Sequence, residues 1–199
     1  MKCGIILNVN EIKCFEERLI HMKTIRDREI VNEVFTNADL RGYVFVGCSF
    51  SGCVFVGCTF SDYVCCSFSG CSFSGCDYDG ADLYGNQYED CSFVGVNFNN
   101  AKMAGVTFRD CAFRDVSFHG ADLSNASLAD ADLRGADMTH ANLTFSNLTD
   151  TNLSEADLRS ANLTYAILDG ADLSYASIQD ACLLETSMKG TDLTGIIED

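Results

Sequence analysis

The chain has no proline and no tryptophan in 199 residues, and only 13 basic residues stand against 29 acidic ones. Nowhere is there an unbroken apolar run of the roughly 18 or more residues that a membrane-spanning helix needs. Hydrophobic residues make up 47% of the chain but fall at short, regular intervals, so a spanning helix is excluded. The opening Met-Lys-Cys-Gly-Ile-Ile-Leu holds too short an apolar run for a secretory leader, and no small-residue cleavage site follows. The expectation is a soluble, cytoplasmic protein with no membrane partner. Catalytic signatures are missing too. There is no Ser-His-Asp or Cys-His arrangement, no phosphate loop and no C-x-x-C pair, and His21, His119 and His140 stand at no ligand spacing. The chain is therefore expected to be no enzyme and to need no cofactor or metal.

What is present is a repeat. From Ala121 to Leu173 the chain cuts cleanly into fives: ADLSN ASLAD ADLRG ADMTH ANLTF SNLTD TNLSE ADLRS ANLTY AILDG ADL. In each five the middle residue, the centre, is large and apolar, and the residue two places before it, the small site, is small. The other three are mostly polar. A period of five fits neither a helix nor an alternating strand. It fits a chain that turns a corner every five residues, so that four sides close a square coil of twenty with centres and small sites inside. Stacked coils would then pair as strands, about 4.8 Å apart.

The segments ADLSN, ADLRG, ANLTF, ADLRS, ANLTY and ADLSY resemble the A-(D/N)-L-x-x signature of the pentapeptide-repeat family. The resemblance implies an all-β solenoid: a right-handed, quadrilateral parallel β-helix, narrow and without a ligand-sized interior. Centres run from Phe35 to Phe60, change phase near residues 60–66, and resume at Tyr63 to hold register to Leu193. That is about eight coils and a rod near 40 Å long by strand spacing. The chain thus divides into residues 1–34 and the rod, 35–199. Within the former, Ile12, Phe15, Leu19 and Met22 behind Asn10 have the spacing of a short amphipathic helix. Such a helix would cap the open end of the rod, or else bind a partner or dimerise. Residues 3–9 could form an added strand.

The rod itself changes composition midway. Before Phe118 the centres are mostly Phe or Tyr, with Cys48, Cys53, Cys58, Cys66, Cys71, Cys76, Cys91 and Cys111 at small sites; after it the centres are Leu, Met or Ile over Ala. A wider aromatic half and a slimmer aliphatic half follow, with the cysteines acting as small hydrophobes. Cys71, Cys91 and Cys111 should stack, joined by Cys53 if the face survives the phase change. Cys182, beside a centre and facing outward, is the expected reactive thiol. Every glycine except Gly4 falls two places after a centre, shared with Asn and Asp, which points to a corner with positive φ.

The net charge of −16 belongs to the rod. Residues 1–34 hold six basic and six acidic groups, leaving the rod 7 basic and 23 acidic residues. Over about eight coils this is roughly two negative charges per 4.8 Å, against about 2.8 for duplex DNA. Direct nucleic-acid binding is disfavoured, and a protein partner is expected. At intervals of twenty stand Asp90, Asp110, Asp130 and Asp150, which would stack as an acidic ladder. Either the residue type suits the corner, or the ladder is an edge for a cation or a basic partner. Asp132, Asp172 and Asp192, with Asn152, form a second column. Phe145 and Tyr165, and Tyr175 on another side, stand where Gly or Asp is usual; they mark a contact surface or isolated corner packing.

Two functional expectations follow. One is a non-catalytic scaffold that presents acidic faces to a macromolecular partner. The other comes from the resemblance: some pentapeptide-repeat proteins mimic B-DNA in width and charge, occupy the DNA-binding saddle of gyrase and confer fluoroquinolone resistance. This sequence departs from those proteins, which commonly dimerise through a C-terminal helix and often carry projecting loops. Here the rod is nearly uninterrupted and runs to Gly-Ile-Ile-Glu-Asp. Ile196 and Ile197 there suggest end-to-end dimerisation.

Overall fold

A centre every five residues, with a left-handed corner two places later, gives each side of the coil one inward ridge and one bend. The structure, a computed structural model, describes residues 23–198. In chain order its strands are β1 (Lys23–Arg26), β2 (Glu29–Val31), β3 (Val34–Thr36), β4 (Tyr43–Val46), β5 (Ser49–Ser51) and β6 (Val54–Val56). Then come β7 (Asp62–Val64), β8 (Ser67–Ser69), β9 (Ser72–Ser74), β10 (Gln87–Glu89), β11 (Ser92–Val94), β12 (Thr107–Arg109) and β13 (Ala112–Arg114). They form three parallel sheets along three faces of a solenoid: β1-β4-β7, β2-β5-β8-β10-β12 and β3-β6-β9-β11-β13. The fourth face is joined only by single-residue bridges, from Asp39↔Thr59 down to Ser177↔Ile197.

Two expectations are corrected. Five successive turns carry strands proper on two faces, rather than about eight alike, and beyond Arg114 single bridges carry every column on. The slimmer half therefore differs in backbone, because its sides are turns. In Asp122–Ala126 the N–H of Ala126 donates to the carbonyl of Leu123 at 3.1 Å, closing a four-residue β-turn whose third residue, Asn125, has φ +57°. The second correction concerns the N-terminal helical cap. No helix occurs among the described residues, and β1 and β2 lie inside the span assigned to it. Ile25, Ile30 and Phe35 are already centres five apart, pairing with Phe45, Phe50 and Phe55. Charged Arg28 and Glu33 occupy the small sites there, which disguised the repeat. Residues 1–22, with the helix spacing of Ile12 to Met22 and the strand expected at 3–9, lie outside the described residues.

The phase change is a shortened side. Phe45 pairs with Tyr63, Phe50 with Phe68 and Phe55 with Phe73, each 18 apart rather than 20. The loss falls between Phe60 and Tyr63, and every face survives it. Here the core also takes in polar groups. The side-chain oxygen of fully buried Asn86 accepts the Cys66 N–H at 2.8 Å, while its amide nitrogen lies 3.5 Å from the Tyr88 hydroxyl. The buried hydroxyls of Tyr63 and Tyr78 find no hydrogen-bond partner among the described residues. Since a buried hydroxyl without a partner costs about 1–3 kcal/mol, Tyr78→Phe is expected to raise stability by about 1 kcal/mol in chemical denaturation. A clear loss would show that the hydroxyl is satisfied in solution.

Centres pack ring on ring along the axis. Phe35, Phe55, Phe73, Phe93 and Phe113 stack at centroid spacings of 4.7, 4.8, 4.8 and 5.0 Å, which is the rise of one coil. Neighbouring columns meet edge to face, as Phe93 does with Phe98 at 5.7 Å and 62°. Side chains of these columns fill the axis of the rod.

Candidate functional site

The outer residues divide by their place in the five. The residue before each centre is commonly Asp or Asn, and its side-chain oxygen accepts the N–H of the residue after the centre. Asp122 takes Ser124 at 3.1 Å, Asn142 takes Thr144 at 3.2 Å and Asn162 takes Thr164 at 3.1 Å. This Asx turn is what the D/N of the repeat does. It accounts for the second acidic column as well: Asp132 accepts from Arg134 at 3.3 Å, Asp172 from Ser174 at 2.8 Å and Asp192 from Thr194 at 2.9 Å. Asn152 bridges the column by donating its side-chain amide to Asp132 at 3.0 Å. The Thr194 hydroxyl and N–H together hold the Asp192 carboxyl below the usual carboxylate range. Those carboxylates are committed first to their own turns.

The other column is different. Asp90, Asp110, Asp130 and Asp150 sit at one corner with φ of 53°, 51°, 60° and 54°, on successive coils and exposed. Gly52 and Gly70 hold the same corner in earlier coils and Gly170 and Gly190 in later ones. Asp tolerates this left-handed conformation better than most residues, so corner chemistry accounts for the residue type. The four residues are exposed, with little to neutralise them. Among the described residues the ladder's one ion pair joins Asp110 to Arg109 at 3.5 Å, and Arg109 also reaches Glu89 at 2.8 Å. No cluster of three or more His, Cys, Asp or Glu suited to a metal ion occurs among the described residues.

The aromatics occupy corners too, and there the conformation is costly. Phe145, Tyr165 and Tyr175 have φ of 60°, 59° and 58°, where an ordinary side chain is disfavoured by about 1–2 kcal/mol. They are nonetheless 59%, 48% and 61% exposed. The Phe145 and Tyr165 rings stack at 5.0 Å and 11°, whereas Tyr175 lies alone over Gly195, where an added Cβ would come 2.7 Å from its ring. Two apolar side chains adjoin the stacked pair, Ile167 on the adjoining side, 43% exposed, and Leu184 in the next coil, 59%, while exposed Glu185 continues the corner above Tyr165.

The cysteines behave as the sequence suggests. All eight small-site cysteines are buried, and Cys53, Cys71, Cys91 and Cys111 share one column. Each sulfhydryl donates to the centre carbonyl of the coil before, as Cys53 does to Ile30 at 3.5 Å and Cys111 to Tyr88 at 3.5 Å. In the aliphatic half Thr151 makes the same bond to Leu128 at 2.8 Å. A hydrogen bond with Cys111, together with burial, pushes the Cys91 thiol up to about 12. Cys182 is exposed with Thr164 Oγ1 3.2 Å from its sulfur, and that hydrogen bond lowers its pKa. Sequence reasoning missed Cys65, an exposed thiol at a corner with φ +51°.

The family profile described as pentapeptide repeat region matches residues 63–138, and that described as pentapeptide repeats (8 copies) matches 34–62, 126–164 and 156–195. No curated protein matches. Among solved structures, HetL, a pentapeptide-repeat protein involved in heterocyst differentiation regulation from the cyanobacterium Nostoc sp. strain PCC 7120, is 23% identical. That alignment covers 96% of this chain and 97% of HetL with a TM-score of 0.58. Full-length QnrB1, a plasmid-mediated fluoroquinolone resistance protein, is 22% identical over 89% of each chain, TM-score 0.54. At these identities the likeness is one of fold.

Proposed function

Because the chain belongs to the pentapeptide-repeat family, we propose that it acts without catalysis, as a scaffold presenting acidic faces to a protein partner. The observation that carries this reading is the placement of charge: 7 basic and 23 acidic residues lie along residues 35–199, around an axis filled by side chains. Such a surface repels nucleic acid and attracts a basic protein surface over about a Debye length. The test is Asp110→Asn combined with Asp130→Asn. Asn also tolerates the left-handed corner, so stability should hold or rise by less than about 1 kcal/mol as like charges are removed. Binding of a basic partner should weaken and lose part of its salt dependence. A loss of stability would point instead to carboxylates that hold the corner or a cation.

A second reading, favoured by a charge per unit length approaching that of duplex DNA, is a DNA mimic that binds gyrase or a related topoisomerase and protects against fluoroquinolones. It is decided by a gyrase supercoiling assay with and without a quinolone. Inhibition or protection is expected at micromolar protein, and the absence of both would end this reading while leaving the scaffold intact. We further propose that two rods pair end to end through the C-terminal coil, where Leu193 and Ile197 are exposed; a monomer in light scattering at high concentration would remove that pairing.

A further inference from the structure

One side of the rod combines both unusual corners. Its floor, in successive coils, is formed by Ser127 and Ala129, then Asn147 and Thr149, then Ile167 and Asp169. Phe145 and Tyr165 stand on the corner that opens this side, between Asn125 and Glu185, and Asp130 and Asp150 on the corner that closes it, followed by Gly170; the two pairs are offset by one coil, so that Phe145 and Asp150 flank the same side. The floor is low: Thr149 folds its hydroxyl onto Asn147 at 2.6 Å, and Asp169 is tied to the Ser187 hydroxyl at 2.6 Å and the Lys189 N–H at 3.0 Å. The two edges therefore stand as rails, one aromatic and one acidic, and both climb one coil at a time.

The aromatic rail is hard to explain by folding alone. Two large rings sit in the left-handed backbone region that other corners fill mostly with Gly, Asp or Asn and also with Cys65, His140, Glu155, Ser160 and Glu185, and they remain about half exposed. Two stacked rings left exposed there, beside exposed Ile167 and Leu184, point to a surface shaped for contact.

We infer that this side, between the Phe145–Tyr165 rail and the Asp130–Asp150 rail, docks a segment of a partner protein that carries arginine and leucine side chains. The complementarity selects that chemistry. A guanidinium stacks on an aromatic face, of which the stacked pair keeps an outer one on each ring, and pairs with a carboxylate in a fork; Phe145 and Asp150 offer both across one side of the coil. An aliphatic side chain would cover Ile167. The inference rests on the scaffold reading above and assigns it a face.

The test uses the full chain and a synthetic alanine-based helical peptide with two arginines and two leucines on one side, followed by NMR titration at two salt concentrations. Shifts are expected at Phe145, Tyr165, Ile167 and their neighbours, and not on the opposite side of the rod. Phe145→Asn with Tyr165→Asn places a residue suited to the corner, so the melting temperature should hold or rise while affinity falls by about tenfold or more. Asp130→Asn with Asp150→Asn should weaken binding less and flatten its salt dependence. Shifts spread evenly over every acidic face, or an aromatic double variant that binds as well as the parent, would overturn this face and leave the scaffold reading standing. Failure of the peptide to bind at millimolar concentration would overturn both. If light scattering shows the parent to be a dimer that the aromatic variant turns into a monomer, the occupant is a second copy and the partner inferred here is wrong.

Discussion

Phe93→Ala is expected to lower the stability of the rod by about 4 kcal/mol, near the top of the range for truncating a buried ring. The ring is fully buried. It stacks on Phe73 at 4.8 Å and Phe113 at 5.0 Å and receives the edges of Tyr88 at 5.4 Å and Phe108 at 5.7 Å. Deleting it therefore removes its transfer free energy, leaves a cavity, and breaks ring contacts worth about 0.5–1.5 kcal/mol each beyond burial. Collapse is resisted, because the strand ladder on both sides holds the coils at their spacing. Each coil touches only its neighbours, so the damage should also be local. Hydrogen exchange is expected to quicken around β9, β11 and β13 well before it does so in the aliphatic half. Phe93→Leu, which refills most of the volume, should cost less than half as much. A loss below about 1 kcal/mol for the alanine variant would mean that the ring column does not hold this half together.

The inward half of each five was legible in the sequence. Centres and small sites recur with the coil, and Cys53, Cys71, Cys91 and Cys111 fall into one column because register alone decides it. The shortened side after Phe60 could be counted from the letters. The start of the rod could not: at Ile25 and Ile30 the inward pattern is intact, but Arg28 and Glu33 fill the small sites, and charge there reads as surface. The outer half was legible as composition and not as mechanism. Nothing in a single sequence says that Asp132 and Asp172 accept N–H groups of their own turns, since that depends on a backbone bend two residues long. Among the described residues Asp130 and Asp150, at the corner itself, accept no N–H of their own turns, and the Asp150 carboxylate lies against Gly170 of the next coil. One residue type thus serves two purposes, and only the turn geometry separates them. The rails of the candidate face were visible as odd letters at Phe145 and Tyr165, while their pairing with the Asp corner across one side needed the coil to be closed.

Gly170→Val is expected to cost about 3 kcal/mol, and the cost has two separable sources. Gly170 has φ +74°, in the left-handed region where a β-branched residue is a genuine outlier; that conformation alone accounts for about 2 kcal/mol. The remainder is steric, because a Cβ at Gly170 would run into the carboxylate of Asp150, the corner residue one coil away. Gly135 provides the control. Its φ of +65° is similar, but nothing lies within 4 Å of an added Cβ, so Gly135→Asn, in a residue that accepts positive φ, should stay within about 0.5 kcal/mol of the parent. Combining Gly170→Val with Asp150→Gly should recover the steric part and leave the conformational part, a coupling of about 1 kcal/mol in a double-mutant cycle. Strict additivity would mean that the Asp150 carboxylate swings clear at no cost, and that the acidic ladder is not held against the next coil. A loss at Gly135→Asn as large as that at Gly170→Val would mean that the corners require glycine itself, and Asp130 and Asp150 could then not be read as residues their corners accept.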